Sequence, residues 1–201
     1  MKGDAPAKPG TRTIVVGVSE MAISSDPAET LATYALGSCV GVTVYDPIRR
    51  VGGMIHCLLP LSGADRRQAE RAPCMFVDTG FPLFLQALFD RGVRRDSAEV
   101  VVAGASTCMD EKGFFRIGER NLAILRRILW KNGILIAAEE TGGRATRSVW
   151  LDMATGAVTV RTYEGDTKRE SVLDVARRRG RAADKTLEGE ARHGVQRPHR
   201  G

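Results

Sequence analysis

Hydrophobic positions along the chain fall into short β-branched runs interrupted by two stretches of helical spacing. Thr13 to Val18 is one such run and Thr30 to Tyr34 another, with the polar turn region Ser24 to Pro27 between them. Val40 to Tyr45 is nearly continuous in apolar residues, Asp46-Pro47 breaks it, and Val51 to Leu59 resumes, which predicts two adjacent strands joined by a turn carrying Arg49 and Arg50. Ser62 to Arg71 is polar and charged and reads as an exposed loop. Phe81, Phe84, Leu85, Leu88 and Phe89 recur three and four apart, so Phe81 to Phe89 is one face of a helix, ended by Gly92. Glu99 to Ala103 is a buried type of strand. Leu122, Leu125, Ile128 and Leu129 then predict a second helix from Asn121 to Trp130, stopped at Asn132-Gly133. Ile134 to Ala138 is a further strand, and Ser148 to Asp152 with Ala157 to Thr162 forms a hairpin around Ala154-Thr155-Gly156.

These elements predict a single layered α/β domain, a mixed and largely antiparallel sheet packed with two main helices. The pattern contains no strand order and no internal repeat. The domain is expected from Arg12 to Tyr163. Met1 to Thr11, rich in Pro and Gly, is a flexible leader; Glu164 to Gly201 is a basic tail, disordered or partly helical, in which Val172, Leu173 and Val175 are spaced to seed a short amphipathic helix.

A length of 201 residues suits one domain with a real core, and 43% hydrophobic with 27% charged residues excludes bulk disorder. No apolar run approaches a membrane span, and the first ten residues lack the apolar core of a secretory signal, so no membrane insertion and a cytoplasmic location are expected. In that reducing setting Cys39, Cys57, Cys74 and Cys108 are thiols rather than disulfides. Cys74 and Cys108 have no C-x-x-C partner and the histidines are only His56, His193 and His199, so no metal is expected; without a Gly-rich phosphate loop, no cofactor is expected either. The formal charge of +6 raises nucleic acid as a partner, but the Arg177 to Arg181 cluster lacks interleaved aromatics, and seven acids accompany the ten Lys and Arg from Glu164 onward. A solvated surface is the better reading.

The candidate chemistry lies between Ala35 and Pro60. A cysteine is a nucleophile only where its thiolate is accessible and a base or positive field assists it. Cys39 follows the small pair Gly37-Ser38, whose backbone N–H groups are candidates to support an oxyanion, and it opens an apolar strand that would hold it rigidly. His56 lies in the next apolar run, and two neighbouring antiparallel strands bring residues seventeen apart into contact. Either residue alone reads as core packing; together they are the minimum set for acyl transfer, with Gly52 and Gly53 leaving room for a substrate backbone. Cys57, next to His56, faces the other side of its strand and reads as core.

The stretch Thr33-Tyr34-Ala35-Leu36-Gly37-Ser38-Cys39-Val40-Gly41-Val42-Thr43, then Asp46-Pro47, then Gly52-Gly53-Met54-Ile55-His56 through Leu59-Pro60, resembles the signature of the CheD family. The resemblance continues through Ile117-Gly118-Glu119-Arg120-Asn121, Thr141-Gly142-Gly143 and Thr155-Gly156, and covers about Thr13 to Tyr163. It implies a glutaminase that converts glutamines on the cytoplasmic helices of chemotaxis receptors to glutamates, some members also hydrolysing methyl esters. The family's catalytic cysteine, histidine and threonine fall on Cys39, His56 and Thr33, the last orienting the imidazole. The chain departs from the family around Ala103 to Met109, where a glycine pair and an asparagine are usual, and this bears on substrate fit or partner contacts. Three alternatives stay open: another Cys-His hydrolase or transferase, a non-catalytic adaptor that binds chemoreceptors or a CheC-like phosphatase, and nucleic-acid binding through the tail.

Overall fold

In the computed structural model, residues 10–63, 66–107 and 115–173 are described. In chain order the strands are β1 (Arg12–Val15), β2 (Met21–Ser24), β3 (Glu29–Leu36), β4 (Val40–Asp46), β5 (Val51–Cys57), β6 (Glu99–Gly104), β7 (Ile136–Thr141), β8 (Thr146–Asp152), β9 (Val158–Glu164) and β10 (Thr167–Leu173). The helices are α1 (Arg66–Arg71), α2 (Val77–Asp90) and α3 (Ile117–Lys131), with a short 3₁₀ turn at Pro73–Met75.

The near-continuous apolar character of β4, β5 and β6 has a direct cause: every residue of these strands is buried, because both faces of their sheet are covered. Val40, Val42, Val44, Ile55, Cys57, Val100 and Val102 face α2 and α3, meeting Phe81, Phe84, Leu88, Leu125 and Leu129. The alternate residues Tyr45, Met54, Val101 and Ala103 face a second sheet, meeting Leu31, Leu36, Val149, Leu151 and Val160. The molecule is therefore three layers deep, helices on a doubly buried sheet of order β2-β5-β4-β6-β7, and that sheet on another of order β1-β3-β8-β9-β10. Pairing is antiparallel except for β1 with β3 and β6 with β7.

The α/β class and the largely antiparallel pairing agree with the sequence expectation, but the strands divide between two sheets where one was expected. A period of two says which residues share a face and nothing about which strands share a ladder. Two local expectations also change. The segment read as a loop contains helix α1. Beyond Glu164, Thr167–Leu173 is an edge strand antiparallel to β9, not a helix, with Ser171 opposite Val160 and Leu173 opposite Val158. Its first four residues are exposed, which conceals the strand period; Val175 and the Arg177 to Arg181 cluster lie outside the described residues.

The chain passes between the sheets just ahead of β4. Ala35 has φ of 55°, and the pairing of β3 with β8 slips between Thr33 and Leu36. This bulge turns both Thr33 and Leu36 inward, although they are three residues apart, and releases Gly37–Cys39 toward the other sheet.

At the far end of β4, buried Asp46 accepts hydrogen bonds from the N–H groups of Ile48 (2.9 Å), Arg49 (3.1 Å) and Arg94 (2.9 Å) and from Ser97 Oγ (2.7 Å). Burial pushes its carboxyl up, but these donors outweigh it and hold the group below its ordinary value. The stabilisation is complete above the ordinary carboxylate range and is lost as pH falls through the depressed value. Asp46→Ala is expected to lower stability at pH 7 by about 1–3 kcal/mol, since it strands buried donors. Urea melts at pH 7 and in acid should show that deficit narrowing; a deficit independent of pH contradicts the assignment.

Candidate active site

Strand parity decides which way His56 faces. In β5 it alternates with Cys57, which enters the helix-side core, so the imidazole enters the space between the sheets. His56 is paired with Gly41 of β4. A Cβ at Gly41 would lie 2.6 Å from Leu36 Cδ1, so the glycine is what allows Leu36 to fill this space. Cys39 stands two residues before Gly41 and so one diagonal step from His56, half-buried against the inter-sheet cluster. Thr33 reaches the same space from the opposite sheet: its Oγ1 is 2.8 Å from His56 Nδ1 and 2.8 Å from the carbonyl oxygen of Val16. The structure thus joins Thr33 to His56 by a hydrogen bond across the sheets and puts Cys39 on the face that both share.

These two distances determine the tautomer. The Thr33 hydroxyl has one proton, and the Val16 carbonyl can only accept, so the hydroxyl donates to Val16 and accepts from His56 Nδ1–H. The lone pair of the neutral ring then lies on Nε2, which is buried and makes no hydrogen bond among the described residues. Burial pushes the imidazole down to about 4 from its ordinary 6.5. The His56 backbone is pinned as well, its N–H donating to Glu20 O (3.0 Å) and its carbonyl accepting from Ser19 N–H (2.9 Å).

The loop before Cys39 is held by its carbonyls. Gly37 O accepts from Ser106 N–H (2.8 Å), Cys39 O from Ala105 N–H (2.7 Å), and Ser38 O from Asn121 Nδ2 (2.9 Å). Peptide planarity therefore turns the N–H groups of Ser38 and Cys39 away from Ser106 and Asn121. Gly104, at φ of 95°, touches this loop so closely that a Cβ there would collide with the Cys39 carbonyl oxygen. Ala35 and Ala105, at φ of 55° and 51°, add strain of about 1–3 kcal/mol each on either side of the loop. The Thr141-Gly142-Gly143 turn supports it from behind: Gly142 N–H donates to Gly104 O (2.9 Å), and Thr107 N–H to Gly143 O (2.8 Å).

One expectation changes in kind. The space beside Gly52 and Gly53 is taken up by protein: a Cβ at Gly52 would lie 2.7 Å from the Tyr45 ring and one at Gly53 2.7 Å from the Phe84 ring. These glycines serve packing on the two faces of β5 rather than substrate approach. Cys57 and Cys74 are buried in the helix-side core, where desolvation pushes both thiols up and away from reactivity. Cys108 lies outside the described residues, among which no group of three or more His, Cys, Asp or Glu is arranged to hold a metal ion.

A family model described as CheD chemotactic sensory transduction matches residues 58–162. The chain is 41% identical over 152 residues to the probable chemoreceptor glutamine deamidase CheD 1 of Syntrophus aciditrophicus, covering 76% of this chain and 95% of that one. It belongs to the CheD family. CheD proteins of Solibacter usitatus (43% over 143 residues, 71% and 85% covered) and Pyrococcus abyssi (38% over 164 residues, 81% and 99% covered) bear the same descriptive name, without the number. Among solved structures, the hypothetical protein YfiH of Bacillus licheniformis overlays with a TM-score of 0.39 at 16% identity, over 60% of this chain and 49% of that one, too loosely for any inference. The CheD match to the family model begins two residues beyond His56, so the arrangement of Thr33, Cys39 and His56 is independent of it.

Nitrogen chemical shifts of His56 should report an Nδ1–H imidazole at pH 7 that gains its second proton only near pH 4. Because the unfolded chain protonates near 6.5, stability should fall as pH drops through that window. Titration of His56 at the ordinary value, or an Nε2–H tautomer, contradicts the hydrogen-bond assignment.

Proposed function

We propose that this CheD family member is a protein-glutamine deamidase acting on chemoreceptors, with Cys39 as nucleophile, His56 as general base and acid, and Thr33 orienting the imidazole. The supporting observation is the Thr33–His56 hydrogen bond, which holds the proton on Nδ1 and leaves Nε2 as the basic nitrogen on the face shared with Cys39. The names of the CheD relatives supply the substrate class. Action on the inner portion of a receptor puts the reaction in the reducing cytoplasm, where a catalytic cysteine is kept as a thiol.

Nε2 takes the Sγ proton as Cys39 attacks the carboxamide carbon, forming the S–C bond and an oxyanion, for which the backbone N–H groups of the Gly37–Cys39 turn are the proposed donors. Collapse breaks the C–N bond, and the imidazolium returns its proton to the leaving nitrogen, which departs as ammonia. A low imidazolium pKa favours that transfer. Water then adds to the thioester carbonyl while Nε2 takes its proton. The S–C bond breaks, the thiolate is reprotonated, and the side chain leaves as glutamate. Throughout, Thr33 accepts from Nδ1–H, a neutral hydroxyl in a role that other triads give to a carboxylate.

Purified receptor cytoplasmic fragments incubated with the protein should show glutamine-to-glutamate conversion by intact mass and peptide mapping. Cys39→Ala should abolish it, and His56→Ala should slow it by about 10²–10⁴-fold. Thr33→Val should cost less than His56→Ala. Docking to a receptor or a CheC-like phosphatase needs none of this chemistry. Retention of every cellular phenotype in Cys39→Ala would favour the adaptor, and a primary-amine adduct in place of glutamate would favour acyl transfer.

A further inference from the structure

The mechanism leaves one buried polar side chain beside the site without a task. Asn121 stands on the core-facing stripe of α3, in phase with Gly118, Leu125 and Leu129, and is fully buried. Its Nδ2 donates to two backbone carbonyls, Ser38 O at 2.9 Å and Leu58 O at 3.1 Å. Two acceptors on one nitrogen determine how the amide is turned, since the reverse orientation would set Oδ1 against two carbonyl oxygens. Oδ1 has no hydrogen-bond partner among the described residues. Burying an amide at that cost is a poor way to stabilise a helix packed by leucines.

The position of the two carbonyls supplies a reason. The β4–β5 ladder ends at the pair Val40 and Cys57; beyond it Cys39 leaves one strand and Leu58 the other, and no further rung joins them. Ser38 O belongs to the peptide link that enters Cys39, and Leu58 is two residues past His56. The Asn121 amide therefore ties the nucleophile's chain to the histidine's chain where the ladder stops. Gly118, one turn earlier, sets the approach of α3: a Cβ there would lie 2.5 Å from Ala105 O and 2.7 Å from Ser106 O, the two residues whose N–H groups hold Cys39 O and Gly37 O.

We propose that Asn121 is a positioning residue whose amide clamps Ser38 and Leu58 so that Cys39 stays within reach of His56 Nε2. The kinetic part rests on the deamidase reading; the geometric part is read without any substrate. Trypsin releases Thr13 to Arg49 as one peptide with Cys39 as its sole cysteine, so alkylation of Cys39 by iodoacetamide can be followed by mass. Asn121→Ala is compared with Leu129→Ala, which removes core packing from the same helix without touching the loop.

Asn121→Ala should slow Cys39 alkylation at pH 7, and kcat on receptor fragments, by about 10–100-fold, with KM within about threefold of wild type. Leu129→Ala should lower Tm yet leave both rates within about threefold. The clamp is overturned if Asn121→Ala alkylates at the wild-type rate, or if Leu129→Ala loses as much rate at a similar Tm. It is also overturned if Asn121→Ala fails to fold under conditions where Leu129→Ala folds, which would make the residue a folding determinant. If the wild type deamidates no receptor fragment, the deamidase reading fails, and the alkylation comparison still decides the clamp.

Discussion

Covering one sheet on both faces is the constraint from which the rest of this structure follows. With α2 and α3 on one side of β4, β5 and β6 and a second sheet on the other, each side chain of these strands enters one of two dry spaces. Odd and even positions are no longer core and surface but two different cores. His56 and Cys57 are neighbours in sequence and are separated by the full thickness of the sheet. One imidazole enters the space that also receives Cys39 and Thr33; the adjacent thiol is enclosed by aliphatic and aromatic side chains.

A polar group in such a space is costly unless its hydrogen bonds are made, and from Val16 through Thr33 to His56 each donor has its acceptor. The Val16 carbonyl consumes the hydroxyl proton of Thr33, the oxygen of Thr33 consumes the Nδ1 proton of His56, and within this chain of three groups Nε2 is left over. An unmet lone pair in the interior is an exception that marks a candidate site. The same burial that keeps the ring neutral makes its protonated form a willing proton donor, a property suited to expelling ammonia from an amide.

The loop bearing Cys39 shows how the backbone supports that arrangement. Three successive carbonyls are tied to the segment after β6 and to α3, left-handed residues flank the crossing at Ala35 and Ala105, and glycines at 41, 104 and 118 stand where a single methyl group would separate the packed parts. Asn121 closes the gap that the ladder leaves open. Gly41, Gly104, the Ile117-to-Asn121 motif and the Thr141-Gly142-Gly143 turn, far apart in the sequence, are parts of one assembly around the Gly37–Cys39 turn.

Much of this was legible in the chain itself. The β-branched runs identified most strands, the three-and-four spacing identified α2 and α3, and Cys39, Thr33 and His56 stood out through the family motif. Local order suffices for these because period and motif are written in neighbouring residues. The partition into two sheets, the strand at Thr167–Leu173 and the packing use of Gly52 and Gly53 were not legible, since each depends on what a residue meets from a distant part of the chain. Asn121 had two signals, its place in the Ile117-to-Asn121 family motif and a phase shared with Leu125 and Leu129, and neither names its partners. The sequence by itself determined which reactive side chains the Thr33-to-His56 motif contains and which segments fold locally. Only the tertiary structure decided which face each residue enters, and therefore the proton position on His56, because hydrogen-bond partners across two sheets exist only once the sheets have packed.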